Sequence, residues 1–218
     1  ALASQSARIT GISHHAWPAF IVFHSIIKMK YFSSDLHLNH ANIIKYCSRP
    51  CTAENQNEWI YSLFDHLQKD DELYLLGDLM FKPTLQMLKE FFQHFKDKGV
   101  VLNIVLGNHD EPYLNMLYEA YRAVFNKAGP QNIHHYISLK YRNDDSVPFP
   151  KLIMSHYPME SWDSSYHGSV MLHGHTHGTS KQRRNRFDVG IDVEHKVYSL
   201  LDIIQKYNSQ SEELPNAS

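Results

Sequence analysis

Five short apolar runs in this chain each lead into residue types that bind metal ions. Residues 31–34 lead into Asp35-Leu36-His37, 73–76 into Gly77-Asp78, and 104–106 into Gly107-Asn108-His109-Asp110. Residues 152–155 lead into His156, and 171–172 into His173-Gly174-His175-Thr176-His177. Histidine, the commonest metal ligand, accounts for 16 of 218 residues. Seven groups (Asp35, His37, Asp78, Asn108, His156, His175 and His177) exceed what one tetrahedral site can use, so the set points to two ions. Imidazole, carboxylate and amide oxygen without thiolate suit Mn, Fe, Zn, Ni or Co and do not choose among them. Two such cations sharing a carboxylate would lie roughly 3.5–4 Å apart with a hydroxide between them, an arrangement suited to in-line attack on phosphorus.

For these groups to meet, the runs must be strands ending at one rim, where ligands bind in open α/β sheets. The pattern supports that. Strands are expected at 31–34, 72–76, 100–106, 133–141, 151–155, 170–172 and 187–191. Helices are expected at 41–46, at 53–68 with Thr52 as N-cap, at 84–96 after Pro83, at 112–126 with proline in the first turn, and at 199–206. Strands alternating with helices imply an α/β sheet covered on both faces. Gly77, Gly107 and Gly174 fit tight turns at the strand ends.

Composition excludes several classes. Apolar residues at 43% and charged residues at 20% fit a globular protein and exclude global disorder. A net charge of −2 argues against holding nucleic acid through bulk positive charge. Cys47 and Cys51 are too few for a disulfide scaffold and read as reduced thiols of a cytoplasmic protein. The apolar stretch 16–27 is twelve residues, interrupted by Pro18 and His24, and too short for a spanning helix, which needs about 20; no membrane partner is expected. Residues 1–28 read as a leader or appended extension with Met29 as the natural start, 29–207 as the domain, and 208–218 as a fraying tail.

In order, Asp-x-His, Gly-Asp, Gly-Asn-His-Asp, a lone His and Gly-His-x-His resemble the calcineurin-like metallophosphoesterase superfamily, over residues 31–193. The stretches Ser-Asp-Leu-His-Leu-Asn-His-Ala-Asn-Ile-Ile and Ser-His-Tyr-Pro are similar to its compact bacterial and phage members. The resemblance implies two mixed β-sheets packed face to face with helices outside, a four-layer α/β/β/α sandwich. It implies that Asp35, His37 and His177 bind one metal, that Asn108, His156 and His175 bind the second, and that Asp78 bridges them. His109 would be the general acid facing the substrate, with Asp110 orienting its ring. The implied function is a dinuclear metal-dependent phosphodiesterase acting by attack of a metal-bridging hydroxide on a phosphate ester, with nucleotides and nucleic acid among the candidate substrates. A phosphomonoesterase on the same site is the alternative; a non-catalytic scaffold and a single-zinc hydrolase rank below it.

Other residues carry two readings each. Asp110 could instead sit at a helix N-terminus ahead of Pro112. His40 either touches substrate or caps the helix at 41–46; Arg49 either contacts phosphate from a loop or is an ordinary exposed arginine. The basic run 181–186 either steers an anionic substrate or forms a solvated hairpin, the latter favoured. His173 is left unassigned.

Overall fold

The computed structural model describes residues 28–127, 132–141 and 144–213. The leader expected over 1–28 falls almost wholly outside them. In chain order the first half forms β1 (Lys30–Ser33), α1 (Ala41–Tyr46), α2 (Gln56–Ser62), β2 (Glu72–Leu75), α3 (Leu85–Asp97), β3 (Val101–Val105) and α4 (Leu114–Phe125). The second half forms β4 (Ile133–His134), β5 (Ile137–Lys140), β6 (Lys151–Met154), β7 (Val170–His173), β8 (Arg186–Asp188), α5 (Ile191–Glu194), β9 (Tyr198–Ser199) and α6 (Leu200–Glu213).

These strands make two mixed sheets. One has the order β4-β3-β2-β1-β9, parallel except for β9, and the other β5-β6-β7-β8, parallel except for β5. The two-residue alternation of a strand assigns each side chain to a face. Along β2, Leu73 and Leu75 join a core with Phe91, Phe92 and Phe95 of α3 and Leu117 and Tyr121 of α4. On the opposite face Tyr74, with Phe32 of β1, shares a second core with Leu152 and Met154 of β6 and Val170 and Leu172 of β7, so both sheets contribute to one interior. The outer face of the four-stranded sheet presents Ile153 and Met171 to Trp162 and Met159.

Two of the longer helices, α3 and α4, follow their sequence signals closely. In α3, buried Leu88, Phe91, Phe92 and Phe95 recur at three- and four-residue steps, and Thr84 Oγ1 accepts from Met87 N at 3.2 Å as its cap. Asn126 ends α4 in the left-handed conformation.

Four expectations need correction. The stretch 133–141 is two strands: β4 pairs with β3, the chain turns at His135–Tyr136, and β5 pairs with β6 of the other sheet. The helix expected at 53–68 is confined to α2: Asn55 Oδ1 takes Thr52 N at 2.7 Å and closes a turn ahead of it, and the chain leaves the helix in turns after Ser62. The strand expected at 187–191 ends at Asp188, and Ile191 opens α5. At the C-terminal end, α6 continues through the expected tail to Glu213; Asn185 N donates to Gln210 Oε1 at 2.7 Å, and Tyr207 packs on Phe149. Among the described residues no helix is long and apolar enough to cross a membrane.

Candidate metal centre

The loops leaving β1 and β2 run side by side: Asp35 N donates to Gly77 O at 3.1 Å, and His37 N to Asp78 O at 2.9 Å. The loop after β7 closes on them, with His175 N donating to both oxygens of Asp35 at 3.0 Å. The loop after β3 joins through His109 N, which donates to Asp78 Oδ1 at 2.9 Å. Asp35, His37, Asp78, His175 and His177 all adopt positive φ, between 46° and 69°. Such conformations cost on the order of 1–3 kcal/mol each and cluster where function demands them. Strained backbone at five of seven expected ligands is a feature that residue type alone could not reveal.

All seven expected ligands come together. Asp35, His37 and His177 offer ligand atoms within 4.8 Å of one another, and so do Asp78, His156 and His175. Asn108 Oδ1 lies 3.1 Å from His156 Nε2 and 3.0 Å from His175 Nδ1. Asp78 joins the two groups: its Oδ2 lies 3.5 Å from both His37 Nε2 and His156 Nε2.

The chemistry of this donor set fits cations. His156 Nδ1 donates to Leu76 O at 2.7 Å, which fixes the proton there and leaves Nε2 as a lone pair aimed at Asp78 and Asn108. His177 Nδ1 likewise donates to Asp192 Oδ2 at 2.7 Å, leaving its Nε2 free. His37 is buried, with no hydrogen-bond partner for either ring nitrogen among the described residues. Burial, aided by the neighbouring His177 and His109, drives its pKa down to about 2, so it is a neutral imidazole. Burial also pushes the Asp35 carboxyl up to about 8. Lone pairs and carboxylates facing one another away from water are costly unless a cation lies between them.

Behind His177 stands a group that sequence reasoning missed. Asp192, its side chain shut off from water, accepts from His177 and from Arg49 Nε at 2.7 Å and Arg49 Nη2 at 2.9 Å. Burial alone would raise the Asp192 pKa, but these hydrogen bonds outweigh it and bring it down to about 2. A carboxylate on the far nitrogen of a ligating histidine fixes its tautomer and raises its basicity. Asp188 holds the same loop, accepting from Thr176 Oγ1 at 2.8 Å and Gly178 N at 2.9 Å. No sequence spacing marks either residue; only the folded loops bring them near the histidines.

Two expected site residues are corrected. Asp110 does not orient the His109 ring: its carboxylate accepts from Asp78 N at 2.7 Å, Gly107 N at 2.9 Å and Leu79 N at 3.1 Å, tying the loops after β2 and β3 together. Nor does it cap the following 3-10 turn through its side chain. Arg49 is not a substrate contact or an exposed arginine. It is buried, donating to Leu36 O at 2.8 Å and Asp35 O at 2.7 Å as well as to Asp192. Removing one partner of a buried pair typically costs 3–5 kcal/mol. Arg49→Ala is therefore expected to lower the unfolding free energy by ~3–5 kcal/mol in urea titration, with or without added metal. A change confined to KM would restore the substrate-contact reading.

The remaining candidates divide. His40 takes the capping role, its Nδ1 accepting from Ile43 N at 3.0 Å, while its ring lies 4.1 Å from Phe81. Arg183 and Arg186 of the basic run are held by Glu160, and Arg186 is buried. His173 is buried with Nδ1 donating to Gly174 O at 2.9 Å. Cys47 Sγ lies 3.5 Å from His177 Nδ1, and burial with the nearby Asp192 pushes its thiol up to about 12.

The chain is 27% identical over 189 residues to the uncharacterized protein MJ1445 of Methanocaldococcus jannaschii, covering 81% of this chain and 89% of that protein. It is 24% identical over 206 residues to the Gene 66 protein of Mycobacterium phage L5, covering 84% and 96%, and 24% identical over 216 residues to the Gene 66 protein of Mycobacterium phage D29, covering 84% and 98%. Among solved structures, the protein of unknown function AQ665 from Aquifex aeolicus shares the fold, with a TM-score of 0.56 at 20% identity over 82% of this chain and 99% of that one. No protein-family model matches the chain.

Proposed function

We propose that this chain is a metallophosphoesterase of the calcineurin-like superfamily: a dinuclear, metal-dependent hydrolase of phosphodiesters. One observation carries the reading. Four strand-end loops and the buried His156 bring seven ligand-type side chains into two groups that share Asp78. Asp35, His37 and His177 would hold one divalent cation (Mn, Fe, Zn, Ni or Co), Asn108, His156 and His175 the other, with Asp78 between them. Bound there, the pair supplies positive charge against phosphoryl oxygens and acidifies a water molecule.

The protein's own groups do the rest. The Asp78 carboxylate, buried between the two groups of ligand-type side chains, would repel a phosphate unless neutralised, so anionic substrate is favoured at the loaded site. His109 has its backbone fixed by Asp78, and its half-buried ring meets His37 edge-on at 5.0 Å. From there it donates a proton to the leaving oxygen, its ring placed by the loop and by His37 rather than by a carboxylate. The free thiols Cys47 and Cys51 support placing it in the reducing cytoplasm.

Elemental analysis of tag-free protein is expected to find two ions per chain, with bis(p-nitrophenyl) phosphate turned over faster than p-nitrophenyl phosphate in Mn²⁺ or Ni²⁺. His109→Ala is expected to lower kcat by ~10²–10⁴-fold with the metal content unchanged. One ion per chain, or turnover of neither ester, overturns the reading; faster monoester turnover makes the chain a phosphatase.

A further inference from the structure

The centre is a row of contacts with an aromatic ring at each end. At one end the Tyr157 ring lies 4.7 Å from His175 and 5.0 Å from His156. Asp78 leads from His156 to His37, and His37 to His109. Beyond His109, at 6.1 Å, stands Phe81. The two ends differ in what they leave open. Phe81 meets His40 at 4.1 Å and carries the Lys82 ammonium 5.2 Å from its ring centre, so it is partly covered. Tyr157 is 47% exposed, against the likewise exposed His175.

A half-exposed aromatic against metal-ligand histidines is an apolar wall next to the most polar point of the molecule, which makes it a candidate contact for part of a ligand. The position of His109 says which part. A proton donor must lie on the leaving oxygen, which puts the leaving group toward His109 and leaves the open Tyr157 ring at the other end available to the retained ester group. We propose that Tyr157 is a specificity-determining residue that stacks on the retained group of the diester and selects a planar aromatic one, a nucleobase or an aryl ring. This rests on the phosphodiesterase reading above.

Three esters with a common p-nitrophenol leaving group isolate the retained group: methyl, phenyl and thymidine 5′. In Mn²⁺, kcat/KM for the thymidine and phenyl esters is expected to exceed that for the methyl ester by about tenfold, the scale of one base–aromatic stack. In Tyr157→Ala that ratio is expected to fall to near one, through KM, while Tyr157→Phe keeps it. A role confined to propping up His175 and His156 would lower all three esters in proportion and leave the ratio intact. Wild-type protein that cleaves all three without preference, or a Tyr157→Ala variant that keeps the ratio, overturns the assignment and leaves the diesterase reading standing. Failure to cleave any of the three overturns both.

Discussion

Asp78→Asn is expected to reduce phosphodiester turnover by ~10³-fold or more, the scale of losing several kcal/mol of charge stabilisation. Bound metal should fall from two ions per chain to one or fewer. The substitution keeps volume and keeps an oxygen for His109 N, which Asp78 Oδ1 accepts at 2.9 Å, so the loop after β3 stays in place. What it removes is the charge facing His37 and His156, each 3.5 Å from Oδ2. Stability should move in the opposite direction. Without metal, the Asp78 charge disfavours ionisation of both Asp35 and Asp110, so neutralising it relieves repulsion in a buried space. The metal-free variant should therefore unfold at or above the temperature of metal-free wild type. Wild type should gain ~5–10 °C for each of its two ions on adding metal to about 100 times the dissociation constant, and the variant at most half of the total. Calorimetry with and without Mn²⁺, beside elemental analysis, checks both. A variant that kept two ions and full turnover would remove Asp78 from the centre.

The convergence of the ligand-type residues was legible because their signal is local. A strand ending in Asp, Asn or His needs only an apolar run and a residue type, and Asp35, Asp78 and His156 follow the runs that become β1, β2 and β6. The same holds for α1, bounded as expected, and for α3 with its Thr84 cap. The misread parts depend on which backbone groups a distant segment leaves unpaired. The sequence position of Asp110 ties it to its neighbour His109, yet its carboxylate goes to three N–H groups where two loops meet. Arg49 has the sequence signature of a loop cation, yet it satisfies the carbonyls of Asp35 and Leu36 and the charge of Asp192, 143 residues away. The 133–141 run keeps strand character throughout, and nothing in its alternation says that β4 and β5 belong to different sheets.

Gly174→Ala is expected to cost about 3 kcal/mol or more of stability, and turnover by at least ~10²-fold in the molecules that stay folded. Its φ is not in the left-handed region, so the demand for glycine here is one of space. A Cβ would stand 1.9 Å from Ser34 Oγ and 2.5 Å from Asp35 Oδ2. Neither neighbour is free to give way. Ser34 Oγ donates to Leu76 O at 2.8 Å across the strand ends, and Asp35 is held by His175 N. Gly174 is itself fixed, its N donating to His156 O at 3.0 Å. The loops must part, and the parting falls between Asp35 and His175, which belong to the two different ligand groups. A second substitution separates crowding from chemistry. Ser34→Gly in the Gly174→Ala background removes the contact at 1.9 Å but leaves the one with Asp35, so thermal unfolding should recover in part while metal affinity stays low. Recovery of both together would mean that the serine alone set the spacing. Gly174→Ala protein that titrated with Mn²⁺ like wild type would show that the strand-end loops do not depend on this close approach.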